Sequence, residues 1–199
     1  MEPSARQVGP YQISHEIGRG GMATIYQAID TRNNQKVALK ILLPQYVNDP
    51  ITLRRFRQEG DNSKRLRHPN IVKVFDAGNS EGVHYIAMEL ATGGTLAQML
   101  KQKGRPLTLD EAIPVLRRVA ASLDYAHSRN ILHRDVKPSN VLIGENGQIL
   151  LSDFGVARQI ASDATVVTTI GFSVGTPSYM SPEQAQGDYD LTSRSDIYS

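Results

Sequence analysis

Cysteine is missing from all 199 residues, so neither a disulfide nor a thiolate metal site is available. That absence suits a reducing compartment. Charge of one sign is missing too. With 22 basic and 20 acidic residues the formal net charge is +2, which argues against a broad nucleic-acid surface. No apolar run approaches the roughly 18 residues of a membrane span. The opening MEPSARQVGPYQ lacks the basic stretch and apolar core that direct secretion. The expectation is a soluble chain in the cytoplasm that binds no nucleic acid. What is present is ordinary: 40% hydrophobic and 21% charged residues supply one sizeable core or two small lobes.

Residues 11–90 read mainly as strands. YQISHEIG, ATIYQAI, KVALKILL, IVKVFDAG and VHYIAMEL are short β-branched or aromatic runs separated by Gly, Asn and Asp. Between the third and fourth, ITLRRFRQEGDNSKRLRHPN is the one helical candidate, with Leu53, Phe56 and Leu66 on a mostly charged segment. Gly60 inside it costs about 1 kcal/mol relative to Ala. After ATGGT the pattern changes. TLDEAIPVLRRVAASLDYAHSRN opens with a capping box, Thr108 with Glu111, and continues with Leu116, Val119, Ala120, Leu123 and Ala126 at helical spacing. Pro114 removes a bond near its start and predicts a kink. This gives a strand-rich lobe, a glycine-containing joint near 89–94, and a helical lobe.

Several short strings carry chemistry. IGRGGMATIYQAI (17–29) sets Gly18, Gly20 and Gly21 between two predicted strands, where backbone N–H groups can approach phosphate or simply turn a hairpin. A strand follows the turn, so a dinucleotide fold is excluded. KVALKIL puts Lys40 in a strand; it either snorkels to an edge or is held by a carboxylate, Glu59 being the choice. HRDVKPSN (133–140) packs His133, Arg134, Asp135, Lys137 and Asn140 between the apolar segments NILH and VLIGENGQILLSDFG, read as strands. A polar knot there carries a desolvation cost. In SDFG, Asp153 ends a predicted strand; it is a turn residue or a hard oxygen ligand for Mg²⁺, with Asn140 able to offer a second oxygen.

A glycine loop, a strand lysine, HRDVKPSN, DFG and SPE (181–183) in this order and spacing match the protein-kinase signature. The chain resembles the bacterial eukaryotic-like (Hanks-type) serine/threonine protein kinases from about Tyr11 to its last residue. RGGMATIYQA, HPNIVKVFDAG, HRDVKPSNVLI and GTPSYMSPEQA are close to that branch's style. The resemblance implies an α+β, bilobal fold: a tail over 1–10, an N-lobe of antiparallel sheet plus one helix over 11–90, and a mainly helical C-lobe over 91–199. It implies ATP and Mg²⁺, with Mn²⁺ as an alternative cation, and protein substrates.

Roles follow from the same resemblance. Asp135 orients the attacking hydroxyl, Lys137 stabilises the transferred phosphoryl, and Asn140 with Asp153 holds the metal. Lys40, paired to Glu59, grips the α- and β-phosphates. Ile17, Gly18, Gly20, Gly21, Ala23 and Ile25 cover the nucleotide. Adenine lies between Ile25 and Ala38 above and Leu142 below, against backbone groups of Glu89 and Ala91, with Met88 guarding the deeper pocket. Arg134 reads a phosphate on the activation segment, His133 packs beneath Phe154, and Thr168 and Thr169 are the expected autophosphorylation sites. Thr176 bonds Asp135 and Lys137, which together with the lysine of HRDVKPSN points to serine/threonine specificity.

Three departures stand out. Ala23 replaces an expected glycine. Ser63 replaces an apolar residue in the stack through Phe154 and His133, which predicts an active position that depends on dimer or partner contacts, a homodimer through the N-lobe being one form. Asp196 matches the aspartate opening a central helix of the large lobe, and the chain ends three residues later, so a fragment of a longer kinase is expected, without the arginine that pairs with Glu183, from a branch that often continues into a membrane anchor. The rival readings are a degenerate nucleotide-binding scaffold and a small-molecule kinase. Intact Lys40, Asp135, Asn140 and Asp153 weigh against the first, and GTPSYMSPE against the second.

Overall fold

A computed structural model describes residues 7–154, 177–188 and 190–199. Six strands build one antiparallel sheet: β1 Gln7–Val8, β2 Tyr11–Arg19, β3 Ala23–Asp30, β4 Gln35–Leu42, β5 Val74–Ser80 and β6 Val83–Glu89, in spatial order β1-β2-β3-β4-β6-β5. Hairpin connections explain the order, except that β6 slots between β4 and β5 after the chain has crossed the sheet through α1 Pro50–Arg65. β1 lies ahead of the first predicted strand. β5 begins three residues later than IVKVFDAG predicts, because Ile71 and Val72 pair across to Leu151, with Val72 N donating to Leu151 O at 3.0 Å.

Helix α1 starts at Asp49, whose carboxylate accepts from Ile51 N at 3.1 Å, with Pro50 in the first helical position. Phe56, Glu59, Gly60 and Ser63 form its buried face. Gly60 has a packing reason: a Cβ there would lie 2.8 Å from Ala77 Cβ on β5. Alanine would raise helix propensity by about 1 kcal/mol, but overpacking costs about 1–3 kcal/mol. Gly60→Ala should therefore lower the melting temperature by a few degrees. Adding Ala77→Gly should restore it; a Gly60→Ala protein that melts higher than the unchanged one would contradict this packing.

Below the sheet the chain is helical. α2 Leu96–Lys103 and α3 Leu109–His127 come first, each opened by a complete capping box, Thr95 with Gln98 and Thr108 with Glu111. A small hairpin, β7 Val141–Ile143 with β8 Ile149–Leu151, follows, and then α4 Pro182–Gln186 and α5 Ser193–Tyr198. α2 was not expected, although TLAQ carried its capping signal. NILH forms no strand; Ile131 is buried, and the segment through Lys137 is irregular. α3 continues through Pro114 as one helix. Val119, Leu123 and Ala126 meet the lower core, but Ala120 is exposed, and Leu116, 64% exposed, lies with Leu109 and Ile113 on the outer face.

The two halves are tied at Gly93 and Gly94. Gly93 N donates to Ile143 O at 2.8 Å, and Ile143 N donates to Gly94 O at 2.9 Å. A Cβ on Gly93 would sit 2.8 Å from Ile143 O, so only glycine allows this approach. The pairing sets β7 directly beneath the strand that leaves the sheet. Two cores meet at this level: one gathers Ala38, Phe56, Val74, Ile86, Met88 and Leu150, the other Leu66, Ile71, Leu123, Val141, Leu151 and Phe154. No helix among the described residues is long and apolar enough to cross a membrane.

Candidate active site

The cleft between the halves is lined by polar groups that the fold has drawn from four separate strings. Lys40, in the middle of β4, is buried, and its alternation along the strand puts it on one face with Ala38. Opposite it on β3 stands Ile25, and Gln27 faces Ala38. Lys40 Nζ lies 2.5 Å from Glu59 Oε1 and 2.7 Å from Asp153 Oδ1. The expected pair with Glu59 is present. The second carboxylate, 113 residues away, completes a buried triad.

One cation between two carboxylates cannot neutralise both. Burial alone would drive the Lys40 ammonium down, but Asp153 and Glu59 outweigh it and hold it above its ordinary value. Burial likewise raises carboxyls, yet Lys40 and the Ser152 hydroxyl keep Asp153 down at about 2. Glu59 bears the deficit: desolvation, opposed by Lys40, pushes it up. Its second oxygen is buried and has no hydrogen-bond partner among the described residues. Glu59 and Ser63 border the space behind Met88, which is nearly filled at about 10 Å³.

The floor of the cleft is the loop 133–140. Lys137 Nζ lies 2.7 Å from Asp135 Oδ2. Asn140 Nδ2 donates to Asp135 O at 2.8 Å and to Asp135 Oδ2 at 3.1 Å, and its amide oxygen takes part in neither bond. The loop joins Asp153 through Ser152, whose N and Oγ both donate to Asn140 O, at 2.9 and 3.0 Å. Arg134 in this loop and Asp153 beyond it hold left-handed backbone, at φ 67° and φ 60°. Non-glycine residues stay there only when their surroundings hold them. For Arg134 the holder is Asp196 of α5, whose carboxylate accepts from His133 N at 2.8 Å and Arg134 N at 2.6 Å, with His127 Nε2 at 2.7 Å.

His133 has no exposed surface, and its ring meets Phe154 edge-on at 4.7 Å between centroids. Nε2 faces Ser152 O at 2.8 Å and Nδ1 accepts from Asp135 N at 3.2 Å, which requires the neutral Nε2–H tautomer. Burial lowers its pKa. This ring therefore contributes stability above its ordinary value of about 6.5, and that contribution is lost as pH falls through the depressed one. Glu59, raised, has the opposite slope, so melting curves mix the two. Nitrogen NMR should show His133 as Nε2–H at pH 7 and titrating below about 6.5; a charged ring at pH 7 would contradict the packing.

Residues 11–199 match the protein kinase domain family. The chain belongs to that family. It is 44% identical over 193 residues to serine/threonine-protein kinase PknD of Mycobacterium tuberculosis, covering 97% of this chain and 28% of PknD. It is 41% identical over 191 residues to PrkC of Bacillus subtilis, covering 96% of this chain and 29% of PrkC. The chain thus spans under a third of the length of these curated relatives. The solved kinase domain of M. tuberculosis PknI superposes with a TM-score of 0.77 at 32% identity, covering 98% of this chain and 73% of that one. The α+β, bilobal expectation is met.

In this kinase domain the remaining predicted residues are distributed as follows. Ile25, Ala38, Met88 and Leu142 border one apolar cluster. Glu89 closes β6, its N donating to Lys73 O at 2.9 Å, and Ala91 lies in the connection that follows. Ile17 and Gly18 lie in β2 and Ala23 opens β3. Gly20 N donates to Ala23 O at 2.8 Å, closing the turn that holds Gly21. Glu183 accepts from Ser195 Oγ at 2.5 Å. Thr168, Thr169 and Thr176 lie outside the described residues. The sequence reading missed Asn70, whose carbonyl accepts from Leu151 N and Ser122 Oγ at 2.8 Å each; its signal was the HPN string.

Proposed function

We propose that the chain is the catalytic domain of a protein serine/threonine kinase that transfers the γ-phosphoryl group of ATP to hydroxyls of protein substrates. The observation that carries this reading is Lys40 held between Glu59 and Asp153 on the cleft's upper face, with Asp135, Lys137 and Asn140 gathered on the floor. The lobes divide as 11–90 and 91–199. Phosphoryl transfer asks a protein for positioning and charge compensation more than bond-making. Asp135 orients the attacking hydroxyl and receives its proton. Lys137 compensates charge on the transferred group. Lys40, once a triphosphate competes for it, exchanges Asp153 for phosphate oxygens and keeps Glu59.

Mg²⁺, with Mn²⁺ as an alternative, would supply neutralisation of the triphosphate. Asn140 and Asp153 would hold it, and two hard oxygen donors suit an ion that keeps phosphates and waters as its other ligands. Ile17, Gly18, Gly20, Gly21 and Ala23 cover the phosphates, and Ile25, Ala38, Leu142, Glu89 and Ala91 hold adenine. Arg134 pairs with a phosphate carried on Thr168 or Thr169. The expected compartment is the cytoplasm, where ATP is supplied. Ser63 leaves α1 little apolar grip on Phe154, so a homodimer through the N-lobe holds the active position; Ser63→Leu should make activity independent of protein concentration.

The test is incubation with Mg²⁺ and γ-labelled ATP beside a basic protein and a panel of hydroxylated small molecules. The expected label is on serine and threonine, including Thr168 or Thr169. Label confined to the small molecules, or nucleotide binding without transfer, would replace this reading with one of its rivals.

A further inference from the structure

The peptide unit joining Arg134 to Asp135 is held at both ends by side chains. Its N–H, on Asp135, donates to His133 Nδ1 at 3.2 Å. Its carbonyl, on Arg134, accepts from Gln184 Nε2 at 2.9 Å. Gln184 belongs to α4, is 5% exposed, and comes from a segment fifty residues away. Its other amide atom, Oε1, accepts from Ser181 N at 3.1 Å, while Ser181 Oγ accepts from Gln184 N at 3.4 Å, the two bonds of a capping box.

A capping box takes glutamate as readily as glutamine at this position, since Ser181 N–H needs only an acceptor. The bond to Arg134 O needs a donor, which glutamine has and an ionised glutamate lacks. The amide at position 184 thus serves two masters, and the capping box explains only one. The other end of its reach is the residue at φ 67° whose N–H is already held by Asp196. With N–H on Asp196 and carbonyl on Gln184, both main-chain polar groups of Arg134 are satisfied by side chains.

We propose that Gln184 is a positioning residue for Asp135: it fixes the plane of the peptide that carries the aspartate, and so the direction of its carboxylate. Within the loop, Lys137 and Asn140 hold the carboxylate itself, but neither constrains the Arg134 carbonyl. This rests on reading Asp135 as the group that orients the attacking hydroxyl. A peptide free to rotate would misdirect that carboxylate, and displacement of a reacting group by about 1 Å can cost on the order of 100-fold.

Two variants separate this role from helix capping. Gln184→Glu keeps the acceptor for Ser181 and loses the donor at high pH; Gln184→Met loses both. At pH 8 each should transfer phosphoryl groups about 10- to 100-fold more slowly in kcat, with KM for ATP within about twofold. As the pH falls toward about 6, a protonated glutamate becomes a donor to Arg134 O, so Gln184→Glu should regain activity relative to the unchanged protein and Gln184→Met should not. Independently of activity, the Asp135 amide should exchange faster in Gln184→Met, which decides the matter should the glutamate variant not fold. Unchanged kcat and unchanged exchange in Gln184→Met would overturn the proposal, as would equal losses in both folded variants at every pH. Should the unchanged protein transfer no phosphate while binding Mg-ATP, the kinase reading itself fails and this role falls with it. An active unchanged protein with indifferent variants removes this role alone.

Discussion

Lys40→Met should abolish most phosphoryl transfer and, at the same time, make the protein less stable at pH 8 than at pH 5.5. The first effect follows from losing the cation that meets phosphate oxygens; removal of one preorganised donor typically costs about 10²–10³ in rate. The second follows from the triad. Lys40 and Glu59 side chains are 9% and 4% exposed, and Asp153 is only 25% exposed, so methionine leaves two carboxylates facing each other without a cation. Breaking a buried pair by deleting one partner costs about 3–5 kcal/mol. Glu59, already raised in the intact triad, rises further without Lys40. A carboxyl raised in the folded state contributes stability below its unfolded pKa of about 4.3 that disappears as pH climbs through the folded value. Denaturant titrations at both pH values check this; a loss of stability independent of pH would mean that Glu59 is not the strained member.

Asp196→Ala should unfold the catalytic loop rather than merely weaken it. The carboxylate is 3% exposed and accepts from two main-chain N–H groups, His133 and Arg134, and from His127. Each buried donor left without an acceptor costs about 1–3 kcal/mol, so a total loss on the order of 3–5 kcal/mol is expected. Arg134 then has little reason to stay left-handed, and transfer should fall with the fold of the loop. Asp196→Asn keeps an acceptor oxygen but presents an amide to the remaining N–H, and should fall between. Hydrogen exchange at residues 133–135 reads this directly. Protection unchanged in Asp196→Ala would show that Asp196 does not hold the loop.

Much of this site was legible because its parts are local strings. HRDVKPSN, SDFG and the KVALKIL lysine each show their chemistry within eight residues, and a buried lysine demands a carboxylate, which leads to Glu59. What stayed hidden depends on distance in the chain. Nothing in SDFG says that Asp153 reaches Lys40, and nothing in SPEQ says that its glutamine reaches Arg134. Gly60 counted against its helix until the approach of β5 supplied the reason. α2 was missed although Thr95 and Gln98 spell its cap, because eight residues hold little periodicity. Leu116 shares the helical spacing of Leu123 yet points outward, because α3 is apolar on more than one face and spacing alone does not choose which face meets the core. β5 starts late because Ile71 and Val72, strand-like in composition, pair with the hairpin below instead.

On the proposed function, Asp135 is the residue that transfer depends on most directly. The measurement closest to it is transfer of labelled phosphate from Mg-ATP to serine and threonine by the unchanged protein and by Asp135→Asn, with thermal melts of both. Loss of the carboxylate should lower transfer by about 10²–10⁴-fold while both proteins melt within a few degrees of each other. Equal transfer by two folded proteins would contradict the claim.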